Sequence, residues 1–256
     1  MCCVICGYKT NYHVKDRYEH VMGTKAGGSI AILGGCGPMG LGAVSYALAI
    51  ENKPAKVIVT DIDDAKLARA NEVISVEEAK EKGVELIYVN TAKMDDPVDG
   101  LKALSVDGKG FDDVFIFAPN EEMVTYGVKM LAFDGCLNFF SGPADQEFSS
   151  RVNFYNIHYN STHFVGTSGG NTEDMKQSIE LIENKTVNVA KIATHILGLD
   201  HAVETTKALP ELEGSKKIVY THKKFPLTEV DKFDENSDDK YIRELKSIVE
   251  RNGNLW

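Results

Sequence analysis

The stretch SIAILGGCGPMGLGAVSYALAI, residues 29–50, passes from an apolar run to a helix-periodic run through glycines at 34, 35, 37 and 40. Few patterns restrict a fold more tightly. A strand that becomes a helix within a few residues opens a βαβ unit, and glycine at the junction removes Cβ atoms where the chain bends sharply or backbones touch. Gly35-x-Gly37-x-x-Gly40 has a telling spacing. The first glycine permits the tight turn, the second lets a pyrophosphate approach the backbone, and the third brings helix and strand together. Pro38 suits the first helical turn, where its missing N–H costs nothing. Free N–H groups and the positive dipole end at the helix start then suit phosphates. Taken alone, the motif also fits a glycine turn that merely closes a βα unit.

Asp61 separates these readings. It ends the second apolar run, 21 positions after Gly40, near the spacing at which an acidic side chain hydrogen-bonds the ribose hydroxyls of a dinucleotide. The competing role is a helix N-cap in TDIDDAKLARA, for which Asp63 is better placed. A carboxylate at 61 would repel a 2′-phosphate, and Ile62, Asp63 and Asp64 offer no arginine to neutralise one. NAD is therefore preferred to NADP, while Lys66 leaves dual use open.

Short runs rich in β-branched and aromatic residues recur at 29–33, 56–60, 85–89, 113–117, 136–140 and 163–167. Helix-period segments at 38–51, 65–73, 97–104 and 121–131 lie between most of them. The alternation predicts an α/β fold: a Rossmann doubly wound, mainly parallel six-stranded sheet with helices on both faces and a C-terminal helical extension. Residues 71–90 read as a long connection with its own charged, solvated helical stretch. Helices are expected at 172–183 and 201–208, and KKIVYT reads as one further strand. Beyond a polar connection, Tyr241, Ile242, Leu245, Ile248 and Val249 repeat at helical spacing and predict a last amphipathic helix. Ligands of such sheets lie beyond the carboxyl ends of the strands. Those exits are Ala118 and Pro119, then Ser141, Gly142 and Pro143, then Thr167, Ser168, Gly169 and Gly170. Small residues there leave room for a flat nicotinamide ring, or simply make turns.

Composition narrows the partners. A net charge of -10 with scattered lysines argues against nucleic acid, and no apolar run approaches a bilayer span. Five cysteines, three of them in MCCVIC, do not make the spaced set of a secreted disulfide scaffold, so the chain reads as cytoplasmic. Cys3 and Cys6 form a CxxC without a second ligand pair, and the seven histidines are dispersed without ligand spacing. No catalytic residue and no metal ligand is assigned.

GGSIAILGGCGPMGLGAVSYALAI and KVIVTDIDDAKLARA resemble the cofactor domain of the zinc-type medium-chain dehydrogenases, the alcohol and polyol dehydrogenase superfamily. FDDVFIFAP, DGCLNFFSGP, THFVGTSGGNTEDM and GLDHAVETTKALPELEGSKKIVYTH are most similar to its L-sorbose-1-phosphate reductase branch. The resemblance implies that Gly35, Gly37, Pro38, Met39 and Gly40 meet the phosphates and that Asp61 and Lys66 meet the adenosine ribose. By the same resemblance Phe117, Ala118, Pro119, Ser141, Gly142, Thr167 and Ser168 line the nicotinamide side. It implies hydride transfer between a sugar phosphate or polyol and the nicotinamide, with zinc held by an amino-terminal domain that this chain does not carry. On that basis residues 1–28 are a remnant of the interdomain segment with exposed apolar surface in MCCVICGYKTNYH. Residues 29–222 are the dinucleotide domain with its C-terminal helices, and 223–256 are the polar connection and last helix. A homo-oligomer joined at the sixth strand is expected, as subunits in the superfamily commonly pair through this domain. An inactive dinucleotide-binding or assembly module and a methyltransferase are the competing readings.

Overall fold

The computed structural model describes residues 1–212 and 214–230. In chain order its elements begin with helix α1 (Cys2–Thr10) and the hairpin β1 (Tyr12–Asp16) and β2 (Glu19–Met22). Then follow β3 (Ser29–Leu33), α2 (Pro38–Ala49), β4 (Lys56–Asp61), α3 (Asp64–Val73), α4 (Val76–Glu81), β5 (Glu85–Asn90), α5 (Pro97–Ala103) and β6 (Phe111–Ile116). The run continues with α6 (Glu121–Lys129), β7 (Leu131–Phe139), α7 (Phe154–Tyr159), β8 (His163–Gly166) and α8 (Thr172–Glu183). Last come β9 (Ala193–Gly198), α9 (Ala202–Ala208), β10 (Lys216–Tyr220) and β11 (Thr228–Glu229).

Six strands form one parallel sheet in the order β5-β4-β3-β6-β7-β8. This is the doubly wound order expected from the sequence, with its reversal point between β3 and β6. All five residues of β3 are buried, as a central parallel strand covered on both faces requires. Side chains alternate between faces along each strand. Ala31, Leu33, Val114, Ile116 and Leu137 pack with Leu101 of α5 and Val124 and Val128 of α6. On the opposite face Phe115 stacks on Tyr8 of α1 at 4.7 Å, and Tyr8 meets Tyr46 of α2 edge-on at 5.0 Å.

The opening segment departs from expectation. MCCVICGYKT is a docked helix with Val4, Ile5 and Tyr8 buried, not an exposed remnant. Its apolar residues fill the space between α2, α8 and the sheet, and the Tyr8 hydroxyl donates to the Ala43 carbonyl at 2.9 Å. The charged stretch after α3 forms the short helix α4, capped by Ser75 and anchored by buried Ala79.

The first compact unit closes at Val187 and a second begins at Asn188. The sequence reading carries the sheet domain on to residue 222. Instead β9 pairs with β10 in parallel and with β11 antiparallel in a separate sheet, because these strands hydrogen-bond one another and not the six-stranded sheet. Its small core is Ile196 and Phe225 with Tyr220 and Val230 beside them. Phe225, read as part of a polar connection, is therefore buried. The helix expected over Tyr241–Val249 lies outside the described residues. Among those described, no helix is long and apolar enough to cross a membrane.

Candidate functional site

The carboxyl ends of β3 and β6 bound the crevice at the reversal point, and the glycine turn fills its floor. Gly34 has φ +67°, the left-handed region that glycine occupies without strain. The sharp bend thus falls at Gly34, not at Gly35 as the motif spacing suggests. Gly35 is glycine for lack of space: a Cβ there would lie 2.6 Å from Ile32 Cγ2 and 2.8 Å from Val59 Cγ1. At Gly40 a Cβ would stand 2.5 Å from the Gly35 Cα, so strand and helix backbones touch.

Gly37 is different in kind. It is the N-cap of α2, and a Cβ there would meet nothing within 4 Å. The space above it is open on the side where α2 begins. No side chain caps this helix end, no acidic residue stands in its first turn, and Pro38 occupies the first position. The N–H groups around Met39 therefore point from a positive dipole end without a side-chain acceptor.

Asp61 ends β4 and Asp63 caps α3, accepting from the Ala65 N–H at 2.8 Å and the Lys66 N–H at 3.3 Å. Asp61 is thereby spared the capping role. One of its oxygens takes the Ile62 and Asp63 N–H groups at 2.9 and 3.3 Å. Cys36, inside the glycine turn, has its thiol pushed up to about 12, by burial first and then by the Asp61 charge, with Lys66 acting in the opposite sense. Turn, Asp61 and Lys66 thus share one corner of the crevice.

The remaining residues lie progressively further along the sheet. The Phe117 N–H donates to the Leu33 carbonyl at 2.9 Å, and its ring lies 4.7 Å from that of Phe140. Ala118 passes over the turn, its Cβ 3.3 Å from where a Gly34 Cβ would be. Pro119 is exposed beyond it. One strand further, Ser141 Oγ donates to the Ile116 carbonyl at 3.0 Å, and Gly142 opens onto free space. Past β8, Ser168 is exposed, whereas the Thr167 hydroxyl is buried without a hydrogen-bond partner. Such an orphan is costly and suits a site that a ligand completes.

Two groups of neighbours escape the sequence reading. Helix α1 reaches the same strand exits: a Gly7 Cβ would lie 3.0 Å from the Phe140 ring, and the Cys2 thiol donates to the Asn171 carbonyl at 3.7 Å. No spacing signal marks these residues. Beside Asp61, Asn90 Nδ2 donates to Asp64 at 2.7 Å and Lys93 Nζ to the other Asp64 oxygen at 2.6 Å. The Lys93 ammonium and then Asn90 hold the Asp64 carboxyl below the ordinary range.

The resemblance also implies zinc. Among the described residues no group of three or more His, Cys, Asp or Glu could hold a metal ion, so these residues do not fit it.

A parallel sheet in doubly wound order, with an uncapped glycine turn at its reversal point and a carboxylate at the end of β4 that caps no helix, defines a Rossmann-type domain. The chain belongs to the zinc-binding dehydrogenase family, whose profile matches residues 38–184. It is 45% identical over 258 residues to mannitol-1-phosphate 5-dehydrogenase of Aliivibrio fischeri (strain ATCC 700601 / ES114), covering 100% of this chain and 61% of that protein. It is 45% identical over 255 residues to L-sorbose 1-phosphate reductase of Klebsiella pneumoniae, covering 99% and 59%. Among solved structures, an alcohol dehydrogenase zinc-binding domain protein from Burkholderia ambifaria superposes with a TM-score of 0.65 at 16% identity, covering 87% of this chain and 54% of that one. The chain spans about three fifths of the length of the curated relatives it matches.

Proposed function

We propose that this chain is the nicotinamide-dinucleotide-binding part of an oxidoreductase that interconverts a sugar phosphate or polyol and its carbonyl form, with NAD preferred to NADP. One observation carries the reading: an open, uncapped Gly37 shares a corner with an Asp61 released from capping by Asp63. The backbone at Gly35, Gly37, Pro38, Met39 and Gly40 would hold the pyrophosphate, and Asp61 with Lys66 the adenosine ribose. Phe117, Ala118, Pro119, Ser141, Gly142, Thr167 and Ser168 would seat the nicotinamide, the orphaned Thr167 hydroxyl gaining its missing partner there. When bound, the dinucleotide supplies hydride chemistry; these residues bind it, orient it and keep water from one side. The substrate class rests on the sugar-phosphate relatives.

We further propose a homo-oligomer joined at β8, whose outer edge is unpaired within the sheet. A cytoplasmic location is supported by five free cysteines.

Fluorescence titration with NADH tests the cofactor reading. Saturable binding is expected, and Gly37→Ala should weaken it at least about tenfold while leaving the melting temperature unchanged, since its methyl group enters empty space in the free protein and crowds only a bound phosphate. Failure of millimolar NADH to bind the folded chain would overturn the reading. Binding without any turnover of sugar phosphates, even beside the catalytic portion of a relative, would favour an inactive binding module.

A further inference from the structure

A second polar cluster lies toward the amino ends of β6, β7 and β8, away from the proposed cofactor crevice. At its centre Asp113 is fully buried. Its Oδ1 accepts from Asn11 Nδ2 at 2.7 Å and from His13 Nε2 at 3.1 Å, and its Oδ2 accepts the Lys25 backbone N–H at 2.9 Å. Three hydrogen bonds thus converge on this one buried side chain. The other ring nitrogen of His13, Nδ1, lies 3.0 Å from the backbone carbonyl of Asp134. Both nitrogens therefore face oxygens that can only accept. A neutral imidazole has a single N–H and would set a nitrogen lone pair against one of those oxygens, whereas the imidazolium satisfies both.

The surrounding charges are otherwise engaged. The Asp134 carboxylate accepts the Val14 N–H at 3.1 Å and His163 Nε2 at 2.7 Å, with its Oδ2 3.7 Å from His13 Nδ1. Asp112 takes Lys25 Nζ at 2.6 Å and the Ser29 N–H at 2.8 Å. Burial pushes the Cys136 thiol up to about 12, so it is uncharged near neutrality, and burial likewise raises Tyr12. His20 meets the Tyr12 ring at 4.9 Å. Among the described side chains, His13 is the titratable base hydrogen-bonded directly to Asp113.

We propose that a protonated His13 latches residues 11–25 to the amino ends of β6 and β7, and that the latch opens as pH rises. Burial is the largest single influence and lowers the His13 pKa. The Asp113 hydrogen bond and charge, with the Asp134 carbonyl and charge, together outweigh it and leave the value raised. The sign follows directly. A folded-state value above the unfolded value of about 6.5 gives stability that is complete below about 6.5 and is lost as pH climbs through the folded value.

Urea unfolding of the full chain at pH 6, 6.5, 7 and 7.5, below the range in which the thiols of Cys36 and Cys136 would ionise on unfolding, tests this. The folding equilibrium constant should fall by up to about tenfold per pH unit above 6.5. That slope should vanish in His13→Gln and persist in His163→Gln. NMR titration of the His13 Cε1–H in the unmodified protein gives an independent reading, which decides the matter where His13→Gln does not fold. A midpoint above 6.5 is expected. A midpoint below 6.5, or an unchanged slope in a folded His13→Gln, would overturn the latch.

Discussion

At the scale of single residues, glycines three positions apart carry opposite constraints. Gly37→Ala is expected to fold normally and lose NADH affinity, whereas Gly40→Ala drives a methyl group into the Gly35 backbone and should cost about 3 kcal/mol or more in urea unfolding. Asp61→Asn removes the carboxylate that would exclude a 2′-phosphate. Titrations should show NADH affinity falling about tenfold while NADPH affinity holds or rises; equal losses for both would remove Asp61 from the ribose. Cys36 sits in the turn but, with its thiol at about 12, is not a nucleophile near neutrality. Mass mapping after iodoacetamide at pH 8 should find it unmodified in the folded chain and labelled once unfolded. The sequence made the Asp63 cap legible, and with it the glycine turn and Asp61 as neighbours. It could not reveal that the bend belongs to Gly34, since that depends on which residue takes positive φ and not on motif spacing.

Among elements, the central strands β3, β4 and β6 were readable because burial on both faces leaves continuous apolar runs. Helix α8 was predicted with its observed bounds, its start fixed by the Asn171–Asp174 capping box. Helix α1 was missed because MCCVICGYKT is apolar over most of its circumference and shows no clean helical stripe. Strand β2 escaped because all four residues are exposed and carry no alternation. β9 runs on from an apolar 3-10 turn at Val189–Ile192, so one apolar stretch hides two conformations. The docking of α1 predicts energies. Ile5→Ala should cost about 2 to 5 kcal/mol as a cavity in a fully buried site, and Tyr8→Phe about 1 kcal/mol for the lost bond to Ala43. Urea unfolding measures both.

For the molecule as a whole, the proposed oligomer rests on the outer edge of β8, which pairs with no other strand among the described residues. Val165 lies in the middle of that strand, half-buried. Sedimentation of the unmodified chain should show a dimer or larger species at micromolar concentration, and Val165→Lys should yield the monomer, since a charge on an edge strand opposes edge-to-edge pairing. A monomeric unmodified chain would remove the oligomer from the proposal.

The contact between the Gly35 and Gly40 backbones has a kinetic consequence. Two main chains pressed together without intervening side chains leave the turn little freedom to rearrange, so a nucleotide docking at the proposed site would meet a seat already in its final shape and lose little ordering entropy. Stopped-flow mixing should then give a single phase whose observed rate climbs in proportion to NADH concentration without reaching a plateau.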